Sequence, residues 1–233
     1  MVSVILPTYN ERENIRGLIE SILSNLALPV EIIVVDDDSP DKTWEVVEKI
    51  SQLNDNIKLL RRLKERGLAS AVKEGISLAK GDKIVSLDAD FSMPPGLLKQ
   101  MVSYLDNVDM VVGSRYVMGG NDSRDSLMRV YSSRFFNLLA RWILNSKIRD
   151  LTSGFLAFRK TAIQSSSIRG RYGEYCIELL YKAQRDGLSI LEFPYNCINR
   201  ERGQSKTSPD IFSFLRYGIL YMISVLKLRC RNL

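Results

Sequence analysis

The chain has 233 residues, 45% of them hydrophobic and 26% charged, with a formal net charge of +6 and no histidine. That length supports one good core, or one domain with an appendage. The missing histidine excludes Ser-His-Asp and Cys-His catalysis and His-ligated zinc, and the positive balance favours an anionic partner such as a nucleotide, a phospholipid headgroup or nucleic acid.

Residues 2–6 read as an apolar strand stopped by Pro7. Asn10 is placed to cap a helix over 11–26, where Ile15, Leu18, Ile19, Ile22, Leu23 and Leu26 recur at helical spacing. Residues 31–35 are a second buried strand that runs into Asp36-Asp37-Asp38-Ser39-Pro40. A helix at 42–53, a strand at 57–60 and a helix at 67–80 closed by Gly81 lead to the strand 83–87. A fourth helix at 95–105 and a strand at 109–113 complete the regular half. Strands alternating with helices of this length predict an α/β fold, a mostly parallel sheet with helices on both faces. Ligands of such sheets bind at the carboxyl ends of the strands. Tyr9, Asp36 to Asp38 and Asp88 to Asp90 all fall at that edge.

The second half is less regular. Residues 119–125 are polar and glycine-rich, a mobile loop by composition. A helix at 126–143 carries Leu127, Val130, Tyr131, Phe135, Leu138, Leu139 and Trp142 on its apolar side. Residues 150–154 are a turn before a strand at 155–158, followed by a helix at 174–185 closed by Gly187 and short strands at 190–193 and 195–199. Residues 200–208 form a second polar loop. The last stretch, 211–228, is apolar almost all round and ends in Lys227, Arg229 and Arg231. Its uninterrupted core, 217–226, is too short to span a bilayer. The pattern fits two roles equally: an interfacial helix on the cytoplasmic membrane face, or a helix packed on the sheet or in a dimer interface. The expected division is a catalytic domain at 1–208 and an interfacial helix at 209–233. Cys176, Cys197 and Cys230 lack CxxC pairing and suit a reducing compartment, and no basic leader precedes the first strand, so a cytoplasmic protein without signal peptide is expected.

Asp88-Ala89-Asp90 is the centre of the chemistry. Two carboxylates one residue apart at the end of a buried strand repel each other and lose water, a cost that a cation between them removes. Mg²⁺ and Mn²⁺ take oxygen ligands and commonly share one or two carboxylates with a diphosphate. The plain alternative is a solvated strand-to-turn junction. Asp36 to Asp38 can accept from the N–H and O–H groups of a base and ribose; alternatively they make an Asx-turn and helix cap before Thr43. No dinucleotide fingerprint or phosphate-binding loop is present. Arg115, Arg124, Arg129 and Arg134 flank the first polar loop and Arg200, Arg202 and Lys206 sit on the second. Arginines on two loops can clamp phosphate, although Arg124 and Arg134 read as merely solvated.

These residues match a known pattern. Pro7-Thr8-Tyr9-Asn10-Glu11, Val34 to Asp41, Gly67-Leu68-Ala69-Ser70-Ala71, Asp88 to Ser92, Gly113-Ser114-Arg115-Tyr116, Asp150 to Phe155 and Arg200 to Lys206 occur in order over nearly the whole chain. The chain thereby resembles the inverting family-two glycosyltransferases with a GT-A fold, most closely the dolichyl- or polyprenyl-phosphate mannose synthases. The resemblance implies nucleotide-sugar contacts from Pro7, Thr8, Tyr9, Glu11, Asp36, Asp38, Lys64, Gly67, Ala89, Arg200 and Lys206. It implies a Mg²⁺ or Mn²⁺ site on Asp88 and Asp90, with Ser92 a weaker third contact. Arg115, Arg129 and Ser133 would meet the acceptor phosphate, and Asp88, Asp90, Arg115 and Arg129 would be catalytic. Met93 stands where a histidine is frequent in relatives, and Lys42 where Gly is usual.

The implied reaction is in-line attack of a polyprenyl or dolichyl phosphate on the anomeric carbon of GDP-mannose. A phosphate monoester is largely ionised at pH 7, its second pKa being about 6, so no general base is required. Catalysis then rests on positioning and charge stabilisation, and Asp90→Asn or Arg115→Ala is expected to abolish transfer with the fold intact. The alternatives are transfer of glucose from UDP-glucose to the same lipid, transfer to a hydroxyl with Asp150 as base, and a non-catalytic sugar-nucleotide-binding subunit. Nucleic acid is not an expected partner, because the positive charge is not interleaved with exposed aromatics. The membrane surface is, with a membrane-anchoring subunit or a second copy of the chain as further candidates.

Overall fold

In the computed structural model of the chain, residues 1–163, 168–170, 172–202 and 211–230 are described, except for the side chains of Arg129 and residues 211–217. The elements run β1 (Val2–Thr8), α1 (Ile15–Asn25), β2 (Val30–Asp36), α2 (Thr43–Ser51), β3 (Ile57–Arg61), α3 (Leu68–Leu78), β4 (Lys83–Ser86), a 3-10 turn at Pro95–Leu97, α4 (Leu98–Tyr104) and β5 (Met110–Ser114). They continue with β6 (Asn121–Asp122), α5 (Leu127–Leu144), β7 (Leu156–Arg159), α6 (Tyr175–Arg185), β8 (Ile190–Pro194), β9 (Asn196–Cys197) and α7 (Ile211–Cys230).

The main sheet has seven strands in the order β3-β2-β1-β4-β7-β5-β8. Only β7 runs antiparallel to its neighbours β4 and β5. The expected mostly parallel α/β sheet is present. Its strands are apolar throughout because both faces are covered. Ile5, Ile33 and Val35 point to a layer with α3, α5, α6 and α7; Val4, Leu6, Ile32 and Val34 point to the opposite layer with α1, α2 and α4. Gly75 on α3 allows this closeness, since a Cβ there would run into the Ile5 side chain.

Strand order reverses direction between β1 and β4, the crevice where such sheets bind ligands. Both central strands deliver carboxylates or polar side chains there.

Several local expectations change. Asn10 does not cap α1: it has a left-handed backbone (φ 58°), its Oδ1 accepts from the Asp41 N–H at 3.4 Å, and the helix starts at Ile15. Residues 119–125 are not a free loop, because Asn121 and Asp122 pair in parallel with Asn196 and Cys197. The apolar side of α5 does not enter the core. Leu127, Tyr131, Phe135, Leu138 and Trp142 each leave 61–79% of their surface exposed, while Asn137, Ala140 and Leu144 are the buried face. A helix buries whichever face meets the neighbouring layer, and this one meets it with Asn137, Ala140 and Leu144.

The candidate active site

Asp88 and Asp90 lie just beyond β4, in a turn held by backbone strain and short bonds. The Ser92 N–H donates to Asp90 Oδ1 at 3.0 Å, and the Asp88 N–H to Met93 Sδ at 3.3 Å. Phe91, directly after Asp90, has φ 64°, a costly conformation for an aromatic residue and typical of functional turns. Burial, reinforced by the charge of Asp90, pushes the Asp88 carboxyl up to about 7 against the pull of Arg200 and Arg115.

Arg200 is the cation closest to this pair. Its Nη2 lies 2.9 Å from Asp90 Oδ2 and its Nη1 3.5 Å from Glu11 Oε1. Glu11 in turn accepts from Asn14 Nδ2 at 2.7 Å. The Glu201 N–H donates to the Asp90 carbonyl at 3.1 Å, so the segment after β9 is strapped across the carboxylate turn.

The Asp36–Asp38 run divides its labour. Asp36 is fully buried and both its oxygens are engaged, accepting from Thr8 Oγ1 on the neighbouring β1 at 2.9 Å and, within its own loop, from Ser39 Oγ at 2.6 Å and N–H at 2.9 Å. This is the Asx-turn alternative, while Asp41 supplies the cap, accepting from the Thr43 N–H at 2.9 Å. Asp37 accepts from Arg62 and from the Gly67 N–H at 2.7 Å; burial still leaves its carboxyl above the usual range. Gly67, at φ 147°, makes the bend into α3 that a side chain would resist. Asp38 is partly exposed and pairs with Arg61, whose guanidinium stacks 3.6 Å over the Trp44 ring. Pro7 and Tyr9 are half-buried and Ala89 is buried. Tyr9 lies under Arg66, 5.4 Å from guanidinium to ring centre. Lys64 is exposed.

Across the crevice stands a basic wall. Arg115 follows β5 and is buried against a fully buried Asp150. Its Nε and Nη2 donate to the two Asp150 oxygens at 2.8 and 2.7 Å, and its own N–H adds a third bond at 3.1 Å. Nη2 also donates to Thr152 Oγ1 at 2.9 Å. Burial works against the guanidinium charge and Asp150 outweighs it. Asp150 is thereby placed as the partner of Arg115, a role that residue type alone did not reveal. Tyr116 donates to Ser133 Oγ at 2.9 Å. Arg129 lies on α5 with its side chain outside the described residues, and Lys206 is outside them altogether.

Carboxylates and arginines face one another across a cleft of about 490 Å³. Asp88, Asp90 and Ser92 line it together with Arg115, Arg124, Ser133 and Tyr221 of α7, and Arg200, which also lines it, is paired with Asp90. Pro7, Thr8, Asp36, Asp38 and Lys64 do not line this cleft; they occupy the adjoining edge toward β2 and β3.

A family model described as glycosyl transferase family 2 matches residues 3–166. The chain belongs to that family. It is 39% identical over 222 residues to a dolichol-phosphate mannosyltransferase of Pyrococcus furiosus, covering 93% of this chain and 62% of that protein. It is 34% identical to the polyprenol monophosphomannose synthase of Mycolicibacterium smegmatis, covering 93% of this chain and 86% of the relative. The chain therefore spans less than two thirds of the first relative and most of the second. Among solved structures, glucosyl-3-phosphoglycerate synthase of Mycobacterium tuberculosis with Mn²⁺ and UDP aligns over 99% of this chain and 80% of its own, at TM-score 0.70 and 21% identity. A mannosyltransferase of Pyrobaculum calidifontis in complex with GDP-mannose and Mn²⁺ aligns over 99% and 64%, at TM-score 0.65 and 18% identity. The fold is thus GT-A.

Proposed function

We propose that this chain transfers mannose from GDP-mannose to a polyprenyl or dolichyl phosphate with inversion, in a reaction that needs a divalent metal. The observation that carries the reading is the cleft itself: Asp88 and the buried Asp90 share it with the buried Arg115 and the partly buried Arg124 and Arg200, an arrangement suited to a diphosphate and a second, separate phosphate. The names of relatives at 34–39% identity supply the sugar and the lipid class.

The donor set suits a hard cation. Asp88 and Asp90 would hold Mn²⁺ or Mg²⁺ with help from the Ser92 hydroxyl, and a bound cation would offset the burial and like-charge repulsion that raise the Asp88 carboxyl. Among the described residues no group of three or more acidic or thiol side chains converges, so the diphosphate would complete the shell. When bound, the metal supplies charge stabilisation to the departing diphosphate. Glu11, Tyr9 and Asp38 would orient the nucleoside along the β1–β2 edge; Arg200 would trade part of its hold on Asp90 for phosphate. Arg115, Arg129 and Ser133 would fix the acceptor phosphate for in-line attack. Because that phosphate is already ionised, no side chain has to take its proton.

The exposed face of α5 supports a membrane-associated reading. Its exposed stripe of Leu127, Tyr131, Phe135, Leu138 and Trp142 has the exposed Arg134 and the partly exposed Arg141 along one margin, the layout of a helix lying in an anionic interface. Among the described residues no helix is long and apolar enough to cross a membrane. Residues 209–233 would join α5 in this surface, through the exposed Ile219, Ile223 and Leu226, and the catalytic domain would comprise residues 1–208.

The test is a transfer assay with purified protein, polyprenyl phosphate in detergent and Mn²⁺, with labelled GDP-mannose and UDP-glucose in parallel. Metal-dependent passage of mannose label alone into the organic phase is expected. Glucose transfer, or nucleotide binding without transfer to lipid, would replace the reading.

A further inference from the structure

Arg124 reads from sequence as a solvated arginine, yet it lines the cleft and is held by a carboxylate that is itself almost fully buried. Asp122 exposes 3% of its side chain, and its two oxygens accept from Arg124 Nε at 2.7 Å and Nη2 at 2.6 Å. This two-point grip fixes the plane of the guanidinium and leaves Nη1 for the cleft. Asp122 is fixed in turn. It lies on β6, zipped to the 195–199 segment by Asn121 N–H to Tyr195 O at 3.0 Å, Ser123 N–H to Cys197 O at 2.8 Å and Asp125 N–H to Asn199 Oδ1 at 3.1 Å. The same Asp122 carboxylate lies 3.6 Å from Arg115 Nη1, so one buried acid sets the spacing of two arginines on the same wall. Ser126 and Ser133 line the cleft beside them.

A buried ion pair at a cleft wall is a poor way to gain stability, because desolvation offsets most of the attraction. It does produce an oriented cation. We propose that Arg124 is a binding residue for the phosphate monoester of the acceptor, and that Asp122 is the positioning residue that aims it. This rests on the lipid-phosphate reading of the cleft. Arg124 would contact the phosphate oxygens in the ground state as well as during transfer, so it sets acceptor affinity rather than the rate of the chemical step.

The experiment measures KM for polyprenyl phosphate, kcat, the dissociation constant of GDP with Mn²⁺, and binding of a short-chain prenyl phosphate in wild-type, Arg124→Ala, Arg124→Lys and Asp122→Asn proteins. Arg124→Ala is expected to raise KM and weaken prenyl phosphate binding about tenfold, with kcat and GDP affinity within about twofold of wild type. Arg124→Lys, which keeps the charge and loses the fork, should recover part of the affinity. Asp122→Asn should weaken the acceptor alone, by less than Arg124→Ala. Equal acceptor KM in wild-type and Arg124→Ala proteins overturns the assignment alone. A parallel loss of GDP affinity and melting temperature in Arg124→Ala overturns it in favour of a structural pair. A wild type that binds GDP but no prenyl phosphate overturns the acceptor reading and this assignment with it.

Discussion

The acidic edge and the basic wall of the cleft are built by opposite means. At the carboxylate turn, charge is placed by short-range structure: Asp88 and Asp90 sit in one turn, where the Ser92 N–H holds Asp90 from two residues away, and one oxygen of Asp36 likewise closes on the Ser39 N–H three residues on. On the basic wall each described arginine is aimed by a carboxylate, in the key case from far along the chain. Arg115 and Asp150 are separated by 35 positions, and Arg200 reaches back 189 positions to Glu11. The difference teaches that the first half carries its chemistry in motifs, whereas the second half carries it in pairs. The turn should keep its stability when one side chain is lost; the buried Arg115–Asp150 pair should not.

The largest effect should therefore come from Arg115→Ala. It strands Asp150 as a fully buried charge, at a cost of roughly 3–5 kcal/mol, and thermal unfolding should show a fall of about 10 °C. This departs from the expectation that its loss spares the fold; an unchanged melting temperature would erase the contrast. Asp90→Asn is the counterpart. Transfer should drop a hundredfold or more, equivalent to about 3 kcal/mol, while circular dichroism and melting stay near wild type; comparable loss of stability would show the edge to be as interlocked as the wall.

A smaller effect is expected outside the cleft. Replacing both Phe135 and Trp142 with Asp should reduce partition onto phosphatidylglycerol vesicles at least tenfold, about 1.4 kcal/mol, and leave GDP binding intact. Partition lost only on changing Ile219 and Ile223 would transfer the membrane face to α7.

The last concerns an acid that serves the fold alone. Burial would raise the Glu31 carboxyl, but bonds from Lys58, Ser3 and the Lys80 N–H outweigh it and hold the group at about 2. A carboxyl lowered from 4.5 contributes stability that is present above pH 4.5 and is lost as pH falls toward 2. Glu31→Gln should cost about 1–3 kcal/mol near neutral pH, and urea midpoints of variant and wild type should converge between pH 4.5 and 2. Parallel curves would mean that the carboxylate charge contributes nothing.

Much of this molecule was legible in one dimension. Alternating apolar strands and helices dictated a buried, mostly parallel sheet, because period and length separate the two element types. They also put Asp88, Asp90 and the Asp36–Asp38 run at one edge. Tertiary structure decided the rest. Periodicity marks an apolar stripe on α5 without saying which side meets protein, and the neighbouring layer took the face of Asn137, Ala140 and Leu144 instead. Residues 119–125 looked like a loop because two-residue strands carry no period, and only the partner at 196–197 reveals β6. Asp36, Asp122 and Asp150 carry the same carboxylate, yet one closes a turn and two aim arginines, since a side chain's role is set by the donors that folding brings within 3 Å of it.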